Sequence, residues 1–469
     1  MPRPKGNAVT IVRQWQLRAE FARRLSEMYG REVPAYTTLV DVSREVNAEV
    51  LDRSGAQAER LGSIARVTAE RHGAIRVGTP AELNQVARIF GALGMHPAGF
   101  YDLREAAASA VPVISTAFRP IDADELARNP FRVFTSMLTP VDPRFFDEDL
   151  SARLERFLAS RELFPPELIR LADRAEHERE LPGADAERFL ELAVGSFRLS
   201  SEPVDKAWYE ELESVSGVAA DIGGVRSTHV NHLTPRVLDI DELYRKMTAR
   251  GIAMIDTIQG PPRWPGPDVL LRQTSFRALD EPRRFRLPDG TITTGALRVR
   301  FGEVEARGIA LTLAGRARYD LLLEQVDQQA ADVSPDEAAR NVWQNGFPAT
   351  ERGLVEDGLA FFTYHLRPDP PRNSAPPTSV TELLDQGWIR ADPVVYEDFL
   401  PRSAAGIFQS NLTGEGTRDN SRAAARYDLD WLAGAIGRDI YDPFALYERQ
   451  QNASIAEIAK ALDVTVALH

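Results

Sequence analysis

The chain has 469 residues, a net charge of −13 and no cysteine. The acidic balance argues against nucleic acid as a partner, and the missing thiols exclude disulfides, thiolate catalysis and cysteine metal ligands, as suits a reducing cytosol. No run of about eighteen apolar residues is present to span a bilayer, and residues 1–12 lack the apolar core of a signal peptide.

Residues 13–71 read as helices. Leu17, Phe21, Leu25 and Met28 recur at helical spacing, a second helix covers about Thr37 to Ser54, and a third ends at Arg71. The period then changes. Arg71 to Gly78 reads as a short strand, and Thr79 to Glu82 as a capping box with proline at the first helical position. The helix that follows carries Leu83, Val86, Ile89, Phe90 and Leu93 and stops at Gly94. Strand candidates follow at Gly99–Leu103, Val111–Arg119 and Phe131–Leu138, in the order β-α-β-β-β.

Residues 145–215 are charged and helix-like, as an insertion would be. The first order then recurs. A strand at 228–237 runs into a helix at about 240–250, with Asp239 and Asp241 as candidate N-caps and Gly251 as its stop. Strands are expected at Ile252–Gln259, Val269–Phe276 and Leu297–Arg307. Thr116 to Arg119 (TAFR) and Thr274 to Arg277 (TSFR) echo one another at matching places. We read this as an internal duplication. Helices resume from Thr312 to Gln344, 367–377 is a Pro-rich loop, and 393–408 is too apolar for a free loop. The last helices are expected at Ser421–Ile436 and about Pro443–Leu462. The expected fold is α+β, a duplicated βαβββ sheet enclosing a site. Its regions are 1–71 (helical), 72–140 (first unit), 141–225 (helical insertion), 226–310 (second unit) and 311–469 (helical, with 393–411 packing on the site).

Any metal site must draw on seven histidines, His72, His96, His177, His229, His232, His365 and His469. His72 opens the first unit, with Arg76 on the same face of a regular strand. Guanidinium binds carboxylate through two parallel hydrogen bonds, so the pair suits a metal ligand beside a substrate clamp. The plainer reading of His72 is a helix-terminal histidine favoured by the dipole. In the second unit His229 and His232 are three apart, so a regular strand sends them to opposite faces. Glu303 and Glu305 nominally share one otherwise apolar face, where a carboxylate is costly unless paired or coordinating. Alternation does not choose between them, although Gly302 is a candidate bulge that would re-aim Glu303. Solvated edge carboxylates are the alternative. Two neutral histidines and one carboxylate form the open facial set of non-haem Fe(II) oxygenases, which Zn or Mn also accept.

The duplicated order, with histidine on each first strand and glutamate on the last, resembles the vicinal oxygen chelate metalloenzymes. More closely, the chain resembles the 2-oxoadipate dioxygenase/decarboxylase family. The resemblance rests on Arg71 to Thr79 (RHGAIRVGT), His232 to Arg236 (HLTPR), Leu271 to Phe276 (LRQTSF), Phe301 to Glu303 (FGE), and Tyr396 to Pro401 (YEDFLP) with Ser403 to Asn411 (SAAGIFQSN). It implies Fe(II) held by His72, His232 and Glu303, and substrate contacts from Arg76 and Ser403. It implies conversion of 2-oxoadipate and O2 to 2-hydroxyglutarate and CO2, in lysine breakdown. Family members carry an apolar residue where this chain has Arg402, which bears on diacid preference if it faces the site. Gln273 and Arg272 are candidates to hold the distal carboxylate. Two other readings use the same scaffold. One is a different chelate enzyme, such as an isomerase or ring-cleaving dioxygenase. The other is a metal-free binding protein.

Overall fold

The change of hydrophobic period at Arg71 is a structural boundary. Before it, helices Gln14–Glu32 and Pro34–Ser54 bury Leu17, Phe21, Leu25 and Met28, and Leu39, Val46 and Val50. Each fully buried side chain of this size contributes about 1.5–3 kcal/mol. The third helix is short, Ile64–Ala69, and Arg71 already begins a strand. The structure is a computed structural model that describes residues 10–105, 111–298, 300–329, 334–371, 375–400, 411 and 417–468.

The fold is mixed α+β. The strands that frame the site are β1 (Arg71–Val77), β2 (His96–Asp102), β3 (Val113–Arg119), β4 (Arg132–Leu138), β5 (Val230–Pro235), β6 (Leu271–Phe276), β7 (Glu281–Arg286), β8 (Ile292–Leu297) and β9 (Gly302–Arg307). One five-stranded sheet has the order β2-β3-β4-β1-β5, with β1 parallel to β4 and antiparallel to β5. Next to β5 runs β9, joined by a parallel bridge from Arg236 to Glu305 and by the Val237 amide donating to the Glu305 carbonyl at 2.8 Å. An antiparallel pair links β9 to β6.

Helix Pro80–Ala92 follows β1 and is opened by the Thr79/Glu82 capping box. Helix Ile240–Ala249 follows β5, and its N-cap is Asp239, whose carboxylate accepts the Glu242 amide. Residues 148–223 are mainly helical, with segments Glu148–Ala159, Pro166–Glu178, Gly183–Ser196, Lys206–Val215 and Gly217–Gly223.

Two expected strands differ, and so does one expected bulge. Ile252–Gln259 makes only isolated bridges, from Met254 to Phe276 and from Gln259 to Gln273. The strand expected at Leu297–Arg307 is shorter and begins at Gly302, because Leu297 instead ends a hairpin of β7 and β8. Gly302 is not a bulge. It pairs in register with Phe276, whose ring lies where a side chain would be; a Cβ there would meet Phe276 Cε1 at 2.1 Å.

Candidate metal centre

Two histidines 160 positions apart meet because their strands are neighbours. His72 pairs across the β1–β5 ladder with Thr234, and Ala74 with His232, so the imidazoles are diagonal neighbours on one face. Their ring centroids are 5.3 Å apart and nearly perpendicular. Glu303 reaches both from β9. Its Oε2 lies 3.3 Å from His72 Nε2 and its Oε1 lies 3.3 Å from His232 Nε2. One ligand atom from each of the three falls within 4.8 Å of the others, and all three residues are buried.

The outer ring nitrogens are also engaged. His232 Nδ1 is 3.1 Å from Thr234 Oγ1, and His72 Nδ1 is 3.0 Å from Glu305 Oε2. Partners of this kind fix ring orientation and leave Nε2 for a cation. Glu303 and Glu305, which alternation does not separate, therefore touch the same imidazole from opposite sides.

The electrostatics suit a cation. Burial, helped by the neighbouring His72, holds His232 well below its ordinary pKa and so neutral. Burial also opposes charge on His72, but Glu305 and Glu303 outweigh it and raise the ring. Burial pushes the Glu303 carboxyl up, against the pull of His72. It acts the same way on Glu305, yet Arg307, His72 and Arg132 overcome it and keep that carboxyl below the usual range. Two imidazole nitrogens and one carboxylate, all buried and converging, fit a divalent transition metal.

Tyr29 ties the frame together. Its hydroxyl lies 2.6 Å from the Phe301 carbonyl and 3.0 Å from that of Asn231, one on each flank of the β5–β9 contact. Phe301 stacks on His232 with centroids 5.2 Å apart, and Phe399 stands edge-on to His72 at 5.0 Å.

Arg76 lies on the His72 face and its Nη1 bonds Asp221, in the helix Gly217–Gly223. The same carboxylate accepts from Asn231 Nδ2 at 2.9 Å and lies 3.4 Å from His229 Nε2. This corrects the expectation that His229 turns away. The β1–β5 register skips Asn231, since Ala74 pairs with His232 and Ile75 with Val230. The extra residue breaks alternation and brings His229 beside Arg76. His229 still stands outside the histidine–glutamate trio. Burial, partly offset by Asp221, pushes it down to about 4.

Arg272 is also corrected. It faces away from the site and bonds Asp241 at 2.6 and 3.1 Å. Gln273 is directly opposite Glu305 and buried. Arg402 and Ser403 lie outside the described residues. Nearby, Asn411 Nδ2 donates to Ser275 Oγ at 2.8 Å, opposite Glu303 in the ladder.

A buried ion-pair cluster backs the trio. Arg132 bonds Glu70 at 2.8 Å and Glu305 at 3.3 Å, and also bonds Glu397. Arg307 bonds Glu305 at 2.7 Å, Arg236 bonds Glu70 at 3.0 Å, and Arg119 grips Asp398 at 2.7 and 2.9 Å. Sequence reasoning missed this cluster and Asp221. Their partners are far apart along the chain, and the available signal was the surplus of arginine in strand-like segments.

A family model described as 2-oxoadipate dioxygenase/decarboxylase matches residues 21–411. A protein of that name from Mycobacterium tuberculosis is 57% identical over 92% of this chain and 96% of its own length. One from Escherichia coli is 39% identical over 94% and 97%. Among solved structures, the hydroxyglutarate synthase of Pseudomonas putida in complex with 2-oxoadipate superposes with a TM-score of 0.82 at 35% identity, over 97% of this chain and 100% of that one.

Proposed function

This chain belongs to the 2-oxoadipate dioxygenase/decarboxylase family, and from that premise we propose that it is an Fe(II) enzyme converting 2-oxoadipate and O2 to 2-hydroxyglutarate and CO2. The observation that carries the reading is the convergence of His72, His232 and Glu303 inside 4.8 Å. We read the two halves as copies of one βαβββ unit, each giving a histidine from its first strand. A cytosolic setting and a place in lysine breakdown belong to the same proposal. No described helix is long and apolar enough to cross a membrane.

The two imidazoles and Glu303 hold the ion. When bound, Fe(II) supplies the one-electron chemistry that O2 requires and open positions for a chelating 2-oxo acid. The remaining work falls to this chain's own groups. Thr234 and Glu305 aim the imidazoles. Arg76, anchored by Asp221, offers its guanidinium to a substrate carboxylate. Gln273 is the remaining candidate for the second carboxylate, with Ser403 as a further contact. Phe301 and Phe399 keep water from the reacting carbons. The stoichiometry balances, because both atoms of O2 and the lost carboxyl are accounted for in 2-hydroxyglutarate and CO2.

The test is direct. Protein loaded with Fe(II) and given 2-oxoadipate should consume O2 and release CO2, and should ignore a catechol. No O2 uptake with 2-oxoadipate overturns the proposal. Arg76→Lys keeps the charge but loses the two-pronged contact, so KM should rise about tenfold, or about 1.4 kcal/mol, with a smaller change in kcat. Unchanged steady-state kinetics in that variant would remove Arg76 from the substrate site.

A further inference from the structure

A basic cleft lies beside the segment that leads to Thr228, a hydrogen-bond partner of the Arg76 backbone. It is a cleft of about 560 Å³ floored by residues 224–227, with Arg226, Arg283, Arg286 and Trp208 in its walls and Glu202 and Asp205 among its lining. Asp205 is already used, since it accepts the Trp208 amide at 3.1 Å and caps helix Lys206–Val215. Arg283, on β7, is only 6% exposed. Its Nε has no hydrogen-bond partner, and among the described residues no carboxylate comes within ion-pair distance of its guanidinium. The neighbouring Glu281 is taken by Arg300 at 2.8 Å. A buried cation with no carboxylate in contact is costly to keep. An anion from solution would supply that charge.

The cleft floor connects this cation to the metal centre. One end leads back to the helix holding Asp221, which bonds Arg76. The other end leads into Thr228, whose hydroxyl donates to the Arg76 carbonyl at 2.7 Å. Arg283 is also within electrostatic reach of Asp221 and His229. Arg226 lies over the Phe157 ring at 5.4 Å, which holds its charge at the cleft.

We propose that this cleft is an outer anion site, where Arg283 receives a small dicarboxylate on its way to Arg76. The proposal rests on the reading of Arg76 as the substrate clamp. It answers a physical difficulty, because a chain with a net charge of −13 repels a dianion unless the approach is locally basic.

In Fe(II)-loaded full-length protein, Arg283→Gln should lower kcat/KM for 2-oxoadipate about tenfold at low salt, with kcat and bound iron within about twofold of wild type. The fall of kcat/KM with added salt should flatten, and Arg283→Lys should recover most of the loss. Arg226→Gln and Arg286→Gln, at exposed positions, should flatten the salt dependence without disturbing packing. Inorganic phosphate should compete with 2-oxoadipate in wild type and less well in Arg283→Gln. Unchanged kcat/KM and salt slope in all three glutamine variants overturn the proposal, as does equal phosphate inhibition. A wild type that leaves 2-oxoadipate unconsumed refutes the function reading instead. In that case calorimetry on metal-free protein still decides the cleft, because the anion should bind wild type more tightly than Arg283→Gln.

Discussion

Glu303→Gln should lose its bound metal and all measurable turnover while remaining folded. The change removes charge and almost no volume. Both Glu303 oxygens face imidazole nitrogens, at 3.3 Å each, so the carboxylate is the anionic member of the proposed ligand set. Changes one shell further out typically cost about 10–100-fold in metal affinity, and loss of a direct ligand should exceed that. Stability is a separate matter. Burial already raises the Glu303 carboxyl, so a neutral isostere is tolerated in the metal-free protein. His229→Ala is the control. Its ring contacts Asp221 rather than the trio, and it should keep iron and most activity. Elemental analysis of both variants checks this, and a metal-free His229→Ala beside a metal-bound Glu303→Gln would reverse the assignment.

Arg132→Met should be the most destabilising change in the sheet. Arg132 is fully buried and bonds Glu70, Glu305 and Glu397 together. Replacing it leaves these carboxylates short of a counter-charge in a medium where charge is poorly solvated. Breaking one side of a buried pair costs about 3–5 kcal/mol. Urea denaturation of metal-free protein would measure it. Adding Glu397→Gln should recover part of the loss, because it removes one stranded charge. A stability within about 1 kcal/mol of wild type would mean that Arg236 and Arg307 neutralise the cluster alone.

Local signals were legible in the sequence. The capping box at Thr79, an N-cap at Asp239 or Asp241 and the period change at Arg71 each act within a few residues; the structure keeps the first and last and selects Asp239 for the cap. Features set by distant partners were not. The skipped residue at Asn231 carries no glycine or proline to announce it, so strict alternation misjudged His229. Arg272 is a candidate site cation by sequence, but Asp241, in the first turn of helix Ile240–Ala249, holds it instead. The β7–β8 hairpin alternates weakly, with arginines inside and out, and no strand is expected over 281–296 from the sequence. Choosing Glu303 over Glu305 needed the family resemblance, since both side chains turn the same way.

The proposed ligands are split between β1 and the β5–β9 pair. A nascent chain that has emerged only through residue 140 owns one of the three donors. Capture of the ion therefore has to wait until the second half has docked its edge against the first. Iron content becomes a record of completed assembly, and neither half expressed by itself should retain the ion.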